Sequence, residues 1–414
     1  MSKKRVVITG LGTINALGNN VQETWENLVK GKSGVGTITR FELTEEYATT
    51  IAAEIKDYEP KDHFDRKHLK KMDTYTQYAL IAAREAMKDS GLTDTEFDHD
   101  RVGVIAGSGI GGMLTFENEV RKLVKSGPKR ISPFFVPKMI SNIGVAEIAI
   151  EHNLRGINFN VTSACASANH ALGTAFRHIQ YGDADIILSG GAEGAVTPLT
   201  VAGFSAMKAL STRNDEPQKA CRPFDKERDG FIMAEGAGIL VLEELEHALK
   251  RGAKIYAEII GYGATSDAFH ITAPADKGEG GARAAANAIK DAGIRPEEVD
   301  YVNAHGTSTP LNDKNETALY KTVFGEHAYK LKVNSTKSML GHTLGAAGGI
   351  EAIACLKSIE TSIIHPTINY ENADPECDLN YVPNEAIECD VKIALSNSLG
   401  FGGHNGVVIF RKYK

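Results

Sequence analysis

An α/β fold assembled from two similar halves is what this sequence predicts, and three observations predict it. Short apolar runs that end in glycine alternate with helix-patterned segments along the chain. One strand–turn–helix pattern occurs twice, as "NFNVTSACASANHALGTAFRHI" and as "KVNSTKSMLGHTLGAAGGIEAIACLKSI". Each copy leads into a late apolar strand: "ADIILSGG" after the first, "KIALSNS" and then "GVVIF" after the second.

Taken in order, "RVVITG" (5–10) reads as a buried strand. "TYTQYALIAAREAMKDSG" (74–91) reads as a helix, with Ala79, Ala82, Ala83 and Ala86 along it and Gly91 as its stop. "RVGVIAG" (101–107) and "ADIILSGG" (184–191) are further apolar strands. Strands of this kind between helices predict a parallel sheet covered on both faces. The halves are expected at 1–250 and 251–414, joined near "ELEHALKRGAKIYAEIIG" (244–261). No Pro-rich linker separates them, so they are expected to pack together.

At 414 residues and 42% hydrophobic, the chain can bury a large core. A net charge of −7 argues against nucleic acid as a partner, because phosphate binding wants a basic face. The five cysteines (165, 221, 355, 377, 389) are odd in number and show no CxxC pair or zinc-ligand spacing. Reduced thiols in the cytoplasm are therefore expected. The opening "MSKKRVVITG" lacks the apolar core and cleavage site of a signal peptide. Residues 156–176 carry no Lys, Arg, Asp or Glu, a run long enough for a membrane span. Asn158, Asn160, Thr162, Ser163, Ser167, Asn169 and His170 mark it instead as a buried segment studded with polar groups.

"GSGIGG" (107–112) matches the dinucleotide fingerprint and follows a strand. That fingerprint also needs a second strand with an acid about 20 residues on. Here "PKRISPFFVPKMIS" follows, with three prolines and no such strand. Tight turning and close packing explain the glycines better.

Three segments carry chemistry. Cys165 follows a strand and sits at or just before a helix start, where the helix dipole favours a thiolate. Its small neighbours Ala164, Ala166 and Ser167 leave room for a carbonyl, and a backbone N–H at such a turn is a ready oxyanion donor. His305, in "YVNAHGTSTPLND", lies at a strand end, where open α/β sheets bind ligands. His342, in "NSTKSMLGHTLGAAGG", lies in the matching turn of the second half. Lys337 precedes it among small residues, and Glu351 is a candidate partner for that lysine. In "SNSLGFGGHNG" (396–406), glycines flank Phe401, giving the ring room to swing and bringing N–H groups close to a ligand.

With these residues in place, the sequence resembles the β-ketoacyl-[acyl-carrier-protein] synthases, condensing enzymes of the thiolase superfamily. The likeness runs nearly end to end through "VVITGLG", "TSACASANHALG", "RPFDKERDGFIMAEGAG", "NAHGTSTPLND", "STKSMLGHTLGAAGG" and "GFGGHN". It looks most like the type II elongating branch. The resemblance implies a thiolase-like, five-layered αβαβα architecture of two duplicated halves. It implies a triad of Cys165 in the first half with His305 and His342 in the second. Thiolases would carry a second cysteine, and the initiating synthases an asparagine for the second histidine.

The implied activity is decarboxylative condensation of an acyl-enzyme thioester with malonyl-[acyl-carrier protein], lengthening a fatty acid by two carbons. The backbone N–H groups of Cys165 and Phe401 would hold the oxyanion, and Lys337 with Glu351 would position the His342 region. Thr307, Thr309, Ile110, Phe204 and Gly402 would contact substrate, with Phe401 as gate. Lys67, Lys70 and Lys71, set on one helical face, would contact acyl carrier protein together with Lys208. A homodimer is implied, without membrane insertion. Decarboxylation would drive the step, so no metal or redox cofactor is expected, and phosphopantetheine arrives on the carrier. Some relatives hold a monovalent cation near the positions of Asn303, Glu351 and Ser396. Two residues depart from the common pattern: Phe224 where many relatives have tryptophan, and His404 where many have threonine. A polyketide ketosynthase subunit would share the triad, whereas the non-catalytic chain-length partner lacks the cysteine.

Overall fold

The structure, a computed structural model, describes residues 3–414. Ten strands form one continuous sheet: β1 (Val6–Asn15), β2 (Val102–Gly107), β3 (Asn158–Val161), β4 (Ile186–Glu193) and β5 (Gly236–Glu244), then β6 (Ala257–Ser266), β7 (Tyr301–Asn303), β8 (Lys332–Asn334), β9 (Ile393–Gly400) and β10 (His404–Arg411). Across the sheet they run β3-β2-β4-β5-β1-β6-β10-β9-β7-β8. Read outward from the β1–β6 seam, the second five strands repeat the order of the first five. The duplication is thus written into the topology.

The sheet is mixed, which corrects the parallel expectation. β2 runs parallel to β3 and β4, and β7 runs parallel to β8 and β9. β5 and β10 return antiparallel to their neighbours on both sides. A strand buried on both faces is apolar whichever way it runs, so its composition does not report direction. The loop expected around Phe401 is the three-residue turn of the β9–β10 hairpin, and only an antiparallel pair can be joined so tightly.

The seam is short. β1 and β6 pair only at Val6–Ile259, Val7–Glu258 and Ile8–Ala257. Beyond it the halves diverge, and the free amides on that edge of β1 need other partners. Helix α1 (Thr74–Asp89) supplies them: Asp89 accepts from Leu11 N at 2.9 Å and Glu85 from Thr13 N at 2.8 Å. Diverging there lets helices enter between the halves. Helix α2 (Ser167–Tyr181) packs on β2 and β4 of its own half and on β10 of the other. Helix α3 (Ala347–Thr361) packs on β9 of its own half and on β4 and β5 of the other, touching α2. With α1 outside the first half and Glu279–Ala292 outside the second, five layers result. Residues 156–176, the uncharged run, become β3, the turn after it and the first turns of α2. Among the described residues no helix is long and apolar enough to cross a membrane.

The outer helices sit on glycines, in the same way in both halves. A Cβ at Gly12 would press into the carbonyl of Ala82, and one at Gly263 into the carbonyl of Ala284. Gly12→Ala and Gly263→Ala should therefore each destabilise by about 1–3 kcal/mol, the usual range for overpacking. Chemical denaturation checks this; a loss at one site only would show that the two helix seats are not equivalent.

Candidate active site

Four strand ends deliver the candidate residues to one place. Cys165 follows β3, His305 follows β7, His342 follows β8 after one helical turn (Lys337–Leu340), and Phe401 follows β9. The Cys165 Sγ and one ring nitrogen from each histidine lie within 4.8 Å of one another. They line a cavity of about 470 Å³ whose walls include Ile110, Phe204, Thr307, Thr309 and Phe401.

Local geometry explains how the sulfur is presented to the cavity. Ala164 adopts φ 50°, a left-handed conformation for a residue with a Cβ, and turns the chain sharply just before Cys165. Ser167 holds the turn, accepting from Ser163 N at 2.9 Å and donating to Ala164 O at 2.6 Å. Helix α2 begins at Ser167, so Cys165 lies two residues before it. The end of β9 crosses this turn at Gly400. A Cβ there would fall 2.8 Å from Ser163 O and 3.2 Å from Cys165 N. Because Gly400 is bare, the N–H groups of Phe401 and Cys165 both reach the sulfur and favour its ionised form.

Burial nevertheless dominates that sulfur. It pushes the Cys165 thiol up to about 12, against the lowering pull of the Lys337 charge and the two N–H groups. The resting group is a thiol, whereas the dipole argument from sequence favours a thiolate. The same donor trio is of a kind that binds zinc, but such binding needs the sulfur deprotonated, which burial opposes.

Both histidines are buried and held neutral. Burial first, then the Lys337 charge, then the facing His342 ring drive His305 well below the ordinary histidine range. Burial and Lys337 do the same for His342. The rings meet edge to face, with centroids 5.3 Å apart. The His342 Nδ1 accepts from Leu344 N at 3.3 Å, which places its proton on Nε2. Its backbone is pinned to the first half, donating to Ile232 O at 2.7 Å and accepting from Ala234 N at 3.0 Å. Lys337 is itself buried and paired with Glu351.

Glu316 is a residue that sequence reasoning missed. From Pro310–Phe324 its carboxylate accepts the amides of His305 at 2.6 Å and Gly306 at 2.7 Å, fixing the strand end that presents the imidazole. Glu193 was missed too. Its carboxylate takes the amides of Gly109 and Ile110, the donors a phosphate would need at "GSGIGG". Neither acid stands in a recognisable spacing from the residue it serves, so no local pattern reveals it.

Other candidates fall into place unevenly. Thr307 and Thr309 hydrogen-bond each other at 2.8 Å on the cavity wall, and Lys208 lies exposed on that wall with Met207. Gly402 is exposed and not part of the wall; its N–H donates to Ile271 O at 2.7 Å. Lys67, Lys70 and Lys71 do not share a helical face. The helix there is one turn, Arg66–Leu69, because Asp73 begins α1 four residues later and leaves no room for more. Lys67 and Lys70 are exposed, while Lys71 lies over the Phe134 ring at 5.7 Å. His404 is exposed beside the hairpin turn, 6.4 Å from the His170 ring. Phe224 stacks flat on Tyr381 at 4.0 Å and does not line the cavity.

Two outcomes follow from the electrostatics. Lys337→Met strands Glu351 in the interior and should cost about 3–5 kcal/mol of stability; adding Glu351→Leu should recover most of it. A denaturation cycle over the four proteins measures this, and additive losses would contradict the pairing. The unfolded chain protonates both histidines below about pH 6.5 while the folded chain does not, so they make stability fall with acid. Replacing both by asparagine should flatten the decline of Tm below that pH, and an unchanged slope would mean that the rings titrate normally.

Comparison with known proteins gives a consistent family. The model of the β-ketoacyl synthase N-terminal domain matches residues 3–248, and that of its C-terminal domain matches residues 256–371. The chain is 54% identical over 411 residues to the 3-oxoacyl-[acyl-carrier-protein] synthase 2 of Staphylococcus aureus, covering 99% of both chains. It is 50% identical over 414 residues to the Synechocystis protein of the same name, covering 100% of this chain and 99% of that one. Among solved structures, a type II polyketide ketosynthase in complex with its acyl-carrier protein superposes with a TM-score of 0.93 at 39% identity over the full length of both chains. A β-ketoacyl synthase from Burkholderia phymatum superposes at 0.92 with 35% identity, covering 99% of this chain and 100% of that one.

Proposed function

The chain belongs to the β-ketoacyl synthase family, and from that premise we propose that Cys165, His305 and His342 carry out its decarboxylative condensation. The enzyme is an acyltransferase of the 3-oxoacyl-[acyl-carrier-protein] synthase kind, and acyl carrier protein is its partner. The observation that carries the residue roles is the convergence of one sulfur, two neutral imidazoles and two backbone N–H donors on one cavity.

In acyl transfer, the Cys165 sulfur attacks the carrier's thioester carbonyl. A new S–C bond forms, the pantetheine C–S bond breaks, and the thiol proton ends on the departing pantetheine sulfur. The tetrahedral oxyanion sits against the N–H groups of Cys165 and Phe401. Malonyl-carrier protein then enters. Its C–CO₂ bond breaks, and the electron pair becomes an enolate whose oxygen accepts hydrogen bonds from the two imidazoles. Neutral rings suit this task because they donate without first adding a charge to the buried site. Attack of the enolate carbon on the thioester forms the C–C bond and breaks the Cys165 S–C bond; the thiolate released takes up one proton from water, which restores the resting thiol. Loss of carbon dioxide drives the sequence, so the chemistry needs no metal or redox cofactor.

Three further assignments complete the reading. Asn303 Oδ1, Glu351 Oε2 and Ser396 Oγ are buried without hydrogen-bond partners, and a monovalent cation would satisfy such oxygens. Lys208 on the cavity wall, with Lys67, Lys70 and Lys71, suits an acidic carrier protein. β3 ends the sheet with an open edge and Phe159 38% exposed, which supports a homodimer formed there. The reading places the enzyme in the cytoplasm, elongating fatty acids. A polyketide role would require a cysteine-less partner chain instead of a second copy.

Incubation with acyl- and malonyl-carrier protein, followed by intact mass, tests the roles. An acyl adduct should appear on native protein and vanish in Cys165→Ala. Cys165→Gln should stop condensation and keep malonyl decarboxylation, which His342→Ala in that background should lower by about 10²–10³. Undiminished decarboxylation would remove His342 from the mechanism.

A further inference from the structure

Behind the triad lies an acid that the condensation does not use. Glu193 ends β4 and is 0% exposed. Four neutral donors converge on its carboxylate. Oε2 accepts from Gly109 N at 2.7 Å and Gly345 N at 3.0 Å, while Oε1 accepts from Ser108 Oγ at 3.1 Å and Ile110 N at 3.3 Å. No salt bridge to it occurs among the described residues. Burial without a cation pushes its pKa up to about 7. A buried carboxylate left unpaired is costly and calls for a reason beyond stability.

The donors come from two functional segments. Ile110 lines the cavity and packs with Phe204, Cys165 and Leu344 in one apolar cluster. Gly345 follows Leu344, the residue whose N–H sets the His342 tautomer. The segments touch through glycine only, since a Cβ at Gly345 would collide with Gly109 N and one at Gly109 would fall 2.9 Å from Glu193 Oε2. A displacement of Ile110 by an acyl chain therefore pulls on the same carboxylate that holds the His342 turn.

We propose that Glu193 is a positioning residue that couples the acyl chain bound against Ile110 to the His342 turn, so that occupancy of the acyl pocket adjusts malonyl decarboxylation. This rests on the assignment of Cys165 and His342 above. The ionised form accepts all four donors. Protonation leaves an O–H facing backbone N–H groups that cannot accept it, and only Ser108 Oγ can. Around Glu193 the titratable neighbours are the Cys165 thiol on the nucleophile turn, whose ionisation its charge opposes, and Tyr75 on α1, whose phenol it also holds protonated. His342 lies three residues before Gly345, on the turn the carboxylate holds.

The test compares native enzyme, Glu193→Gln and Ser108→Ala, each first acylated with short or long chains on carrier protein and checked by intact mass. Acylation of the native protein tests the Cys165 assignment separately. Malonyl decarboxylation is then timed against chain length and pH, in the acylated proteins and in unacylated ones. The native rate should differ between short-chain, long-chain and empty pockets by about fivefold or more, the scale of ordinary site–site coupling. Glu193→Gln should abolish that dependence and the inflection near neutral pH, and Ser108→Ala should weaken both. A merely structural role would lower every rate by one factor and keep the dependence, which would overturn the proposal. A native rate indifferent to chain length would overturn it as well. If Glu193→Gln does not fold, Ser108→Ala decides: chain-length dependence equal to native refutes the coupling.

Discussion

How near a helix backbone can lie to a strand sets the dimensions of this active site. At the midline, Gly349 of α3 rests on Gly238 of β5, and a Cβ on either would strike the other's backbone. That contact joins a helix of the second half to a strand of the first. Its closeness fixes how far apart the halves stand, and so where the ends of β3, β7, β8 and β9 meet. A triad drawn from two half-chains needs such a rigid datum, because misplacement by about 1 Å between reacting groups can cost about a hundredfold in rate. The seam itself, three residue pairs long, could not supply it.

Electrostatically the centre is quiet at rest. Its sulfur is a thiol, its imidazoles are neutral, and the nearby Lys337 charge is matched by Glu351. The Lys337 charge acts at a distance, lowering all three groups of the triad. In the proposed reaction, charge would develop only as substrate reacts, on oxygens that face donors already in place. Interior dipoles arranged in advance need not reorient during the reaction, which is the main source of their catalytic value.

What the sequence disclosed divides along physical lines. Periodicity and glycine-terminated apolar runs identified strands and helices, because burial imprints on composition. The repeated strand–turn–helix unit disclosed the duplication, and Cys165, His305 and His342 were visible because each follows a strand in a small-residue context. Strand direction was hidden, since β5 and β10 are as apolar as their parallel neighbours. Glu316 and Glu193 were hidden for another reason: each serves backbone amides, and amides leave no mark in the sequence. The lysines near 67–71 misled because a charge run looks the same in a long helix and in one turn. The ionisation of Cys165 depended on burial, which only three dimensions supply.

The β9–β10 turn holds Phe401 between two strands that are paired along their whole length. Its amide belongs to the end of a ladder, while its ring hangs from a single bond beyond it. The two parts of this residue are thus held to different degrees. Gly402 and Gly403, with φ of 86° and 73°, must stay bare to keep the turn, so only the side chains at 401 and 404 can change the mouth of the cavity and leave the Phe401 amide where it is. A change in what the cavity admits then needs two side chains and no movement of the main chain.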